Sequence, residues 1–369
     1  MVMLDLQKAF DTVDHSILLM KLRASGLSDS VLNWFKSYLS DRNQLVDVSG
    51  TFSSKASITC GVPQGSILGP LLFLIYVNDM SAVVKNKLLL YADDSGILVS
   101  GKSVLDVEKA LTDDMNLVSQ WLIDNKLSLH LGKTESIVFG SKQKLRSQSS
   151  IDISCNGTPI ASTSSVKYLG ITLDQNLSFC SMAESLLKKA NSRLKFLYRK
   201  KDFLTLHTKK LLVMSLIQCH YDYACSVWYN SITQSLRNKL QTCQNKLIRF
   251  VLDLDSRVHI DQSHFKSLNW LPVHMRVNQI MLCHVFKIRN GLFPDYLSEH
   301  FVSQDSMHNY STRLSKKGGY CLPKVKCHGS KSFSFNSIKL WNSLPESLTE
   351  VNRLEGFNVA IKSHLIINI

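Results

Sequence analysis

Two short apolar runs around an acidic tip form the clearest local pattern in the chain. Residues 89–99 read Leu-Leu-Tyr-Ala-Asp-Asp-Ser-Gly-Ile-Leu-Val. Asp and Gly favour tight turns and the flanking apolar residues favour strands, so this stretch predicts a β-hairpin with Asp93 and Asp94 at its tip. Adjacent carboxylates repel each other, and a divalent cation such as Mg²⁺ relieves that repulsion. An isolated Asp-Asp pair is more often a solvated turn, so its interpretation depends on the rest of the chain.

Hydrophobic periodicity predicts short strands and amphipathic helices elsewhere. A buried strand covers 2–6, and residues 7–11 turn into a helix that runs past His15. The further predicted elements are a helix capped by 28–30 and ending at Tyr38, a hairpin of 44–48 and 52–59, a helix over 66–80, a helix capped by Ser103, and a strand over 136–139. Polar stretches at 141–150 and 161–165 predict loops or a lightly structured insertion, 303–320 predicts a loop, and 203–300 has a helical pattern.

A helix over 187–201 combines an apolar face with many basic residues. Its predicted buried face consists of Leu187, Ala190, Leu194 and Leu197. Its basic residues are Lys188, Lys189, Arg193, Lys195, Arg199, Lys200 and Lys201. Such a run is usually a solvated face, and the alternative is contact with the phosphates of a nucleic acid.

Charge is distributed unevenly along the chain. Of the 369 residues, 44% are hydrophobic and 20% are charged, which is typical of a globular protein of two or three domains and excludes a disordered one. Residues 1–140 contain 12 Lys and Arg against 15 Asp and Glu, whereas residues 141–369 contain 31 against 14, a net charge of +17. This division favours metal-dependent chemistry in the first part and a bound polyanion, such as nucleic acid, in the second.

The nine cysteines are scattered, and no Cys-x-x-Cys pair occurs. An odd count without that spacing predicts neither a disulfide framework nor a zinc ribbon, and Cys321, Cys327 and His328 are interpreted as structural. This usage favours a reducing compartment, so we expect an intracellular protein of the nucleus or cytoplasm. We expect neither a signal peptide nor a membrane span, because charged residues interrupt the first segment and Gly69-Pro70 interrupts the longest apolar run.

A glycine-flanked loop precedes the helix predicted over 66–80. Residues 61–66 read Gly-Val-Pro-Gln-Gly-Ser. Glycine lets a backbone approach a ligand closely, the following helix amino terminus favours a phosphate, and Gln64 could present its amide to a nucleotide. A turn of this kind alone is weak evidence for binding.

Several segments, in the order in which they follow one another along the chain, resemble the reverse transcriptases of non-LTR retrotransposons of the LINE and jockey type. The segments are 4–15 (Leu-Asp-Leu-Gln-Lys-Ala-Phe-Asp-Thr-Val-Asp-His), 61–66, 91–94 (Tyr-Ala-Asp-Asp), 133–135 (Lys-Thr-Glu) and, similar to a primer grip, 166–171 (Val-Lys-Tyr-Leu-Gly-Ile). Two more, 268–273 (Leu-Asn-Trp-Leu-Pro-Val) and 340–345 (Leu-Trp-Asn-Ser-Leu-Pro), resemble the C-terminal region of that family. The resemblance covers nearly the whole chain, and the combination of motifs is highly specific.

The resemblance implies an α+β fold with a catalytic centre for nucleotidyl transfer. A polymerase palm, an antiparallel sheet flanked by helices, would be followed by a helical thumb and a mainly helical C-terminal region. Asp5, Asp93 and Asp94 would be catalytic and would hold two Mg²⁺ ions, or Mn²⁺, together with the backbone carbonyl of Leu6. Such a pair of ions activates the primer 3′-hydroxyl and neutralises the charge that develops on the pyrophosphate.

The resemblance also assigns residues to the substrates. The residues implied to contact the incoming nucleotide are Phe10, Gln64, Gly65 and Lys133. The primer grip would consist of Tyr168, Leu169 and Gly170, and the basic residues of the helix over 187–201 would contact the nucleic-acid backbone. Asp11 and Asp14 lie outside this set and are interpreted as structural. His130 stands where relatives usually carry Asn, a departure that bears on the geometry of its loop.

The implied domains are a palm at 1–140 with the fingers largely missing, a connection at 141–182 that carries the primer grip, a thumb at 183–255 and an accessory region at 256–369. Relatives carry fingers, and usually an endonuclease, before the first catalytic Asp. Only four residues precede Asp5 here, so we expect a copy truncated at its amino terminus.

Three functions remain open at this point. The first is an RNA-directed DNA polymerase that uses an RNA template, a DNA primer and dNTPs, without a membrane. The second is a nucleic-acid-binding remnant without turnover, and the third is an RNA-directed RNA polymerase. Phe10 disfavours the third, because its ring, five residues after Asp5, would clash with a ribose 2′-hydroxyl. The residues alone do not separate the first two.

Overall fold

The structure, a computed structural model of the chain, describes residues 1–146, 151–304 and 318–368. The stretches 141–150 and 303–320, predicted as loops, lie partly outside these residues. The chain divides into two compact units, Met1–Asn176 and Leu177–Ile369. In the part that the structure describes, no helix is long and apolar enough to cross a membrane.

The first unit is built around a mixed sheet. The strands are β1 (Val2–Leu4), β2 (Arg42–Gln44), β3 (Asp47–Val48), β4 (Thr51–Phe52), β5 (Ala56–Ile58), β6 (Lys87–Tyr91), β7 (Asp94–Leu98), β8 (Glu135–Ser136), β9 (Ser154–Cys155), β10 (Thr158–Pro159), β11 (Ala161–Ser162), β12 (Ser165–Tyr168) and β13 (Ile171–Asp174). The main sheet has the order β11-β8-β1-β7-β6. Its neighbours are antiparallel, except that β11 runs parallel to β8. The short strand β1 is therefore central, with a partner on each side.

The helices described in this unit are α1 (His15–Ala24), α2 (Asp29–Leu39), α3 (Leu68–Val77), α4 (Met80–Val83), α5 (Val104–Asp124) and α6 (Lys142–Arg146). All but α6 contribute buried residues to one core. Val2 and Leu4 belong to the core that includes buried residues of these helices, whereas Met1 and Met3 pack with a smaller cluster around Ile137. This alternation is the period of two expected for a strand, so β1 contributes to both faces of the sheet.

Several predicted elements of the first unit are confirmed. The hairpin within 89–99 forms as β6 and β7, and the hairpin within 44–59 forms around a turn at Ser49 and Gly50, which have positive φ. The helix predicted after Ser103 is α5, and the Ser103 side chain accepts a hydrogen bond from the N–H of Asp106. A capping serine and an apolar stripe are local signals, which is why the sequence alone predicts them.

Other predicted boundaries are wrong. The first helix begins at His15 and not within or directly after 7–11, because Asp14 caps it by accepting from the N–H groups of Ser16 and Ile17. The helix predicted over 66–80 is divided into α3 and α4, and at this break the Lys21 ammonium bonds the Tyr76 carbonyl and the Asp79 carboxylate.

One further predicted boundary differs, and two polar stretches contain short elements. The strand predicted over 136–139 ends at Ser136, although Ile137 still donates to the Met1 carbonyl, and Gly140 donates to the Gln175 carbonyl. The stretch 161–165, predicted as a loop or a lightly structured insertion, contains β11, which pairs with β8. Within the stretch 141–150, predicted in the same way, the described residues include the helix α6.

The second unit is helical. Its helices are α7 (Cys180–Tyr198), α8 (Leu206–Val213), α9 (Cys219–Asp222), α10 (Cys225–Trp228), α11 (Gln234–Val251), α12 (Gln262–Leu268), α13 (Val273–Arg289), α14 (Asp295–Ser298), α15 (Phe333–Asn342), α16 (Glu346–Thr349) and α17 (Leu354–Ile367). A π-helical stretch, Met214–Gln218, joins α8 to α9. The predicted apolar face of α7 is buried, as expected. Phe286, Trp341 and Phe357 form an aromatic cluster where α13, α15 and α17 meet.

Candidate active site

A two-residue turn places two carboxylates at the tip of the β6–β7 hairpin. Tyr91 pairs with Asp94, which leaves Ala92 and Asp93 as the turn. Ala92 has a left-handed φ of 53°. For a residue other than glycine this conformation costs roughly 1–2 kcal/mol, and such residues are concentrated at functional sites. Asp93 therefore lies in the turn itself, and Asp94 is the first residue of β7.

Strand β1 brings Asp5 to the same end of the sheet. The β1–β7 register pairs Leu4 with Ser95, so the next position along β1, Asp5, lies across from Asp94. On the other side of this segment, the Asp5 carbonyl accepts a hydrogen bond of 2.7 Å from the N–H of His130. The backbone of Asp5 is thus held between β7 and the loop that carries His130.

The backbone carbonyl of Leu6 takes no part in the pairing of this segment with the loop that carries His130. Leu6 forms an isolated antiparallel bridge with Leu129. The hydrogen bonds of this bridge are made by the Asp5 carbonyl and the Gln7 N–H, so the bridge does not use the carbonyl of Leu6. This is the carbonyl that the sequence analysis assigned as a metal ligand.

The pKa of Asp94 is affected by its burial and by neighbouring carboxylates. Burial, followed by the negative charges of Asp93 and Asp5, raises the pKa of Asp94 above its ordinary value. The pairing of β1 with β7 and the place of Asp93 in the hairpin turn put the three predicted catalytic residues at the same end of the sheet. The Lys133 ammonium lies 3.9 Å from Asp5 Oδ2, with the two side chains 67% and 44% exposed. At this distance and exposure the ion pair is weak.

No three His, Cys, Asp or Glu side chains among the described residues already form a group that could hold a metal ion by themselves. Mg²⁺ commonly binds one or two carboxylates and completes its octahedron with water and substrate phosphates. A divalent ion at this end of the sheet would therefore take part of its ligands from carbonyl, water or substrate oxygens.

Phe10, five residues after Asp5, packs on the helix α3. Its ring stacks on Phe73, with the ring centroids 4.5 Å apart and 29° between the planes. Phe73 is fully buried, whereas Phe10 is only partly buried. The Phe10 carbonyl accepts a hydrogen bond of 2.8 Å from the N–H of Val62. The ring of Phe10 is therefore supported by the core from below and remains accessible from outside.

The glycine-flanked loop is attached by its backbone to the turn that follows β1. The Gly61 N–H donates to the Val13 carbonyl at 2.7 Å, and the Gly61 carbonyl lies 2.8 Å from His15 Nε2. Gly61 has a φ of 87°, and a Cβ added to it would lie 2.8 Å from the Asp11 carbonyl oxygen. Only glycine fits this close approach. Gly65 has a φ of 78° and shapes the other end of the loop.

Asp11 contacts the predicted nucleotide-binding amide. Gln64 Nε2 donates to Asp11 Oδ1 at 2.7 Å. This contact was missed from the sequence, where Asp11 is interpreted as structural, because 53 positions separate the two residues and no spacing pattern relates them. Asp14 has a different place: besides capping α1, it forms an ion pair of 2.6 Å with Lys126.

An open cavity of about 740 Å³ lies beside the Gln64–Asp11 contact. Lys8 and Arg42 line it together with Gln64 and Asp11. A lining with two basic side chains, one carboxylate and amide groups suits a polar, anionic ligand such as part of a nucleotide chain.

The predicted primer grip lies in the β12–β13 hairpin. Tyr168 pairs with Ile171, and Leu169 and Gly170 form the turn with φ values of 45° and 77°. Two consecutive residues with positive φ are typical of the two-residue turns that match the twist of a hairpin.

The basic residues predicted to contact a nucleic-acid backbone belong to the second unit. The exposed ones are Lys188, Lys189, Lys195, Arg199 and Lys200. The two others have partners within the protein: the Arg193 guanidinium bonds the His220 ring and the Leu216 carbonyl, and the Lys201 ammonium lies 3.2 Å from Asp253. The exposed five are therefore the better candidates for contact with phosphates.

Comparison with known proteins matches the first unit to one family. The sequence profile described as "Reverse transcriptase (RNA-dependent DNA polymerase)" matches residues 1–173. These residues include the β6–β7 hairpin, the loop after β1 and the β12–β13 hairpin.

Individual relatives extend the similarity into the second unit. The chain is 29% identical over 289 residues to "Probable RNA-directed DNA polymerase from transposon BS" of Drosophila melanogaster, covering 75% of this chain and 31% of that protein. It is 31% identical over 257 residues to "RNA-directed DNA polymerase from mobile element jockey" of Drosophila melanogaster, covering 67% and 27%. The jockey protein of Drosophila funebris is 30% identical over 257 residues, with the same coverage of 67% and 27%. The chain spans less than a third of the length of these relatives.

Proposed function

We propose that this chain, whose residues 1–173 match the profile of the reverse transcriptase family, is an RNA-directed DNA polymerase of a non-LTR retrotransposon. It extends a DNA primer on an RNA template by adding deoxynucleotides. The names of the three relatives support this activity, because each is called an RNA-directed DNA polymerase. The observation that carries the proposal is the convergence of Asp5, Asp93 and Asp94 at one end of the main sheet.

The donor atoms at this end of the sheet fit divalent cations. All of them are oxygens, and the raised pKa of Asp94 supports a site at which a cation relieves carboxylate repulsion. Asp5 and Asp93 would hold two Mg²⁺ ions, or Mn²⁺, with the Leu6 carbonyl as a further ligand and Asp94 in support. When bound, the ions activate the primer 3′-hydroxyl and neutralise charge on the triphosphate.

The neighbouring side chains position the nucleotide. The Phe10 ring forms the floor beneath the sugar, because it is supported by Phe73 and still accessible. The Gln64 amide reaches the nucleotide from the glycine-flanked loop, and its bond to Asp11 fixes its orientation. Lys133, whose ammonium lies within 4 Å of Asp5, contacts the triphosphate.

In this proposal the first 140 residues act as the palm, 141–182 carry the primer grip, and α7 is part of the thumb at 183–255. The five exposed basic residues of α7 and its end follow the phosphate backbone of the template–primer duplex. Replacing Lys195, Arg199 and Lys200 with Ala should flatten the log–log salt dependence of duplex binding by up to about three units. An unchanged slope would mean that these residues form a solvated face.

Primer extension tests the polymerase function directly. The full chain would extend a labelled DNA primer on an RNA template with dNTPs and Mg²⁺, and Asp93→Asn would be compared with Asp113→Asn. Asp113 is an exposed carboxylate on α5, away from the predicted catalytic set, so the control removes the same charge without touching the site. We expect Asp93→Asn to lower extension by at least about a hundredfold and Asp113→Asn to leave it unchanged.

Binding of the same duplex separates the alternatives. If the unmodified chain binds the RNA–DNA duplex but extends no primer, the second function, a nucleic-acid-binding remnant, replaces the polymerase proposal. Extension that survives Asp93→Asn would refute the assignment of the catalytic carboxylates.

A further inference from the structure

Three cationic side chains converge on a small cavity in the second unit. The cavity has a volume of about 200 Å³ and is lined by Lys210 of α8, Arg276 of α13 and Lys362 of α17. Among the described residues that line it, Asp222 is the one carboxylate. The lining therefore carries a net charge of +2.

Two of the three cations are held in place by the protein. The Arg276 guanidinium pairs with Asp222, with Nη2 2.8 Å from Oδ2, and its Nη1 donates to the side-chain Oε1 of Gln279 at 2.8 Å. The Lys210 ammonium donates to the backbone carbonyl of Leu268 at 2.8 Å. A carbonyl orients an ammonium but does not neutralise it, so the charge of Lys210 remains uncompensated.

Lys362 is in an unfavourable position without an anion. No hydrogen bond or ion pair of its ammonium occurs among the described residues. Burial, followed by the positive charges of Arg276 and Lys210, lowers the pKa of Lys362. The three cations are therefore close enough to repel one another in a place that is partly shielded from water. Clustered charges of one sign persist at little cost only when a counter-charge binds among them.

The size and polarity of the cavity restrict the ligand. A volume of about 200 Å³ is below the roughly 300–1,000 Å³ of sites for drug-sized molecules, and it suits one tetrahedral oxyanion with its waters. A phosphate offers several acceptor oxygens at once and matches a guanidinium together with two ammonium groups. Trp270 also lines the cavity and offers a ring next to the cations.

We propose that this cavity binds one phosphate group of the nucleic-acid backbone. The identity of the phosphate as part of a polynucleotide rests on the proposed function, and it agrees with the net charge of +17 over residues 141–369. The site lies in a unit whose C-terminal half has no function assigned from its sequence, and it extends the nucleic-acid contact beyond α7.

Substitution of Lys362 tests the site without disturbing the fold. Lys362 has no carboxylate partner, so Lys362→Gln removes repulsion and should not lower the melting temperature. Lys362→Arg retains the charge. Lys339→Gln is the matched control, because Lys339 is an exposed lysine of α15 that does not line the cavity.

Two measurements on the full chain use defined probes. The first titrates inorganic phosphate at constant ionic strength, with acetate as the control anion, and follows binding by ³¹P NMR. The second measures the salt dependence of affinity for an RNA–DNA duplex by fluorescence anisotropy. We expect Lys362→Gln to weaken phosphate binding by about tenfold and to reduce the log–log salt slope by about 0.9. Lys362→Arg and Lys339→Gln should retain phosphate binding.

Three results would overturn the proposal. They are unchanged phosphate binding in Lys362→Gln, equal effects of Lys362→Gln and Lys339→Gln on the salt slope, and lost phosphate binding with an unchanged slope. The last result would assign the cavity to free phosphate instead of the nucleic-acid backbone. A chain that extends no primer but shows the expected loss of phosphate binding and change of slope supports this site while rejecting the polymerase function.

Discussion

Replacing Phe10 with Val tests whether its ring selects deoxyribonucleotides. The ring lies on the fully buried Phe73, with 4.5 Å between the ring centroids, and Phe10 itself is only partly buried. A ring held from below cannot retreat when a ribose 2′-hydroxyl approaches it. The hydroxyl then loses its hydration and meets the ring, a combination that costs roughly 3–4 kcal/mol. Each 1.36 kcal/mol changes a rate about tenfold, so the wild-type protein should prefer dNTPs by roughly two to three orders of magnitude.

The same structure bounds the side effect on stability. Phe10→Val removes an aromatic pair worth about 0.5–1.5 kcal/mol and part of a half-buried side chain, so the free energy of unfolding should fall by about 1–3 kcal/mol. Phe35→Val is the matched control. Phe35 is a partly buried ring of the same core cluster, and it makes an edge contact with Trp34 at 5.0 Å. Both variants should lose similar stability, and only Phe10→Val should lose sugar selectivity.

The assay compares kcat/KM for dNTP and rNTP incorporation in primer extension on an RNA template. We expect the ratio to fall at least about thirtyfold in Phe10→Val and to remain unchanged in Phe35→Val. An unchanged ratio in Phe10→Val, with extension still dependent on Asp93, would reject Phe10 as the sugar floor while leaving the catalytic assignment intact. Equal losses of selectivity in both variants would attribute the effect to core packing.

Three other predictions follow from single contacts. Asp14→Ala removes the cap of α1 and should lower the free energy of unfolding, measured by urea denaturation, by about 1–2 kcal/mol. Ser28→Ala is the control and should have no effect, because the Ser28 side chain makes no capping bond. Burial and the charges of Asp93 and Asp5 raise the pKa of Asp94, so the folded state holds that proton more tightly than the unfolded state does. The free energy of unfolding should therefore fall as the pH rises from about the ordinary pKa of 3.8 through the raised one. Asp94→Asn should remove this pH dependence and raise the melting temperature at neutral pH without Mg²⁺, and an unchanged pH dependence would count against repulsion among the carboxylates. In a double-mutant cycle on kcat/KM for dNTPs, Asp11→Ala and Gln64→Ala should have a coupling energy of about 0.5–1.5 kcal/mol. Additive effects would mean that the hydrogen bond of 2.7 Å between Gln64 and Asp11 does not orient the Gln64 amide.

Local chemistry determined much of the fold. The apolar runs around Asp93 and Asp94 specify a hairpin because turn and strand propensities act within a few residues. The serine cap and apolar stripe of α5, and the buried face of α7, are likewise properties of neighbouring positions. The order of these segments along the chain is also what carries the resemblance to reverse transcriptases, so the family could be inferred before any coordinate was known.

Local patterns were a poor guide where a distant partner decides the structure. The segment 161–165 has a polar composition typical of a loop, yet part of it becomes β11 because the exposed edge of β8 pairs with it. The break between α3 and α4 coincides with bonds from the distant Lys21. Neither β8 nor Lys21 can be identified as a partner from the residues next to β11 or next to the break between α3 and α4.

Only the tertiary structure decided which side chains meet. No spacing pattern in the sequence relates Asp11 to Gln64, because their hydrogen bond spans 53 positions. The cations Lys210, Arg276 and Lys362 come from three helices and have no common motif. Charge alone places them in a basic region, and the convergence that makes a candidate phosphate site arises when α8, α13 and α17 pack together. Sequence determines such groups only through the whole folded core, because their proximity depends on packing between elements and not on the spacing within any one of them.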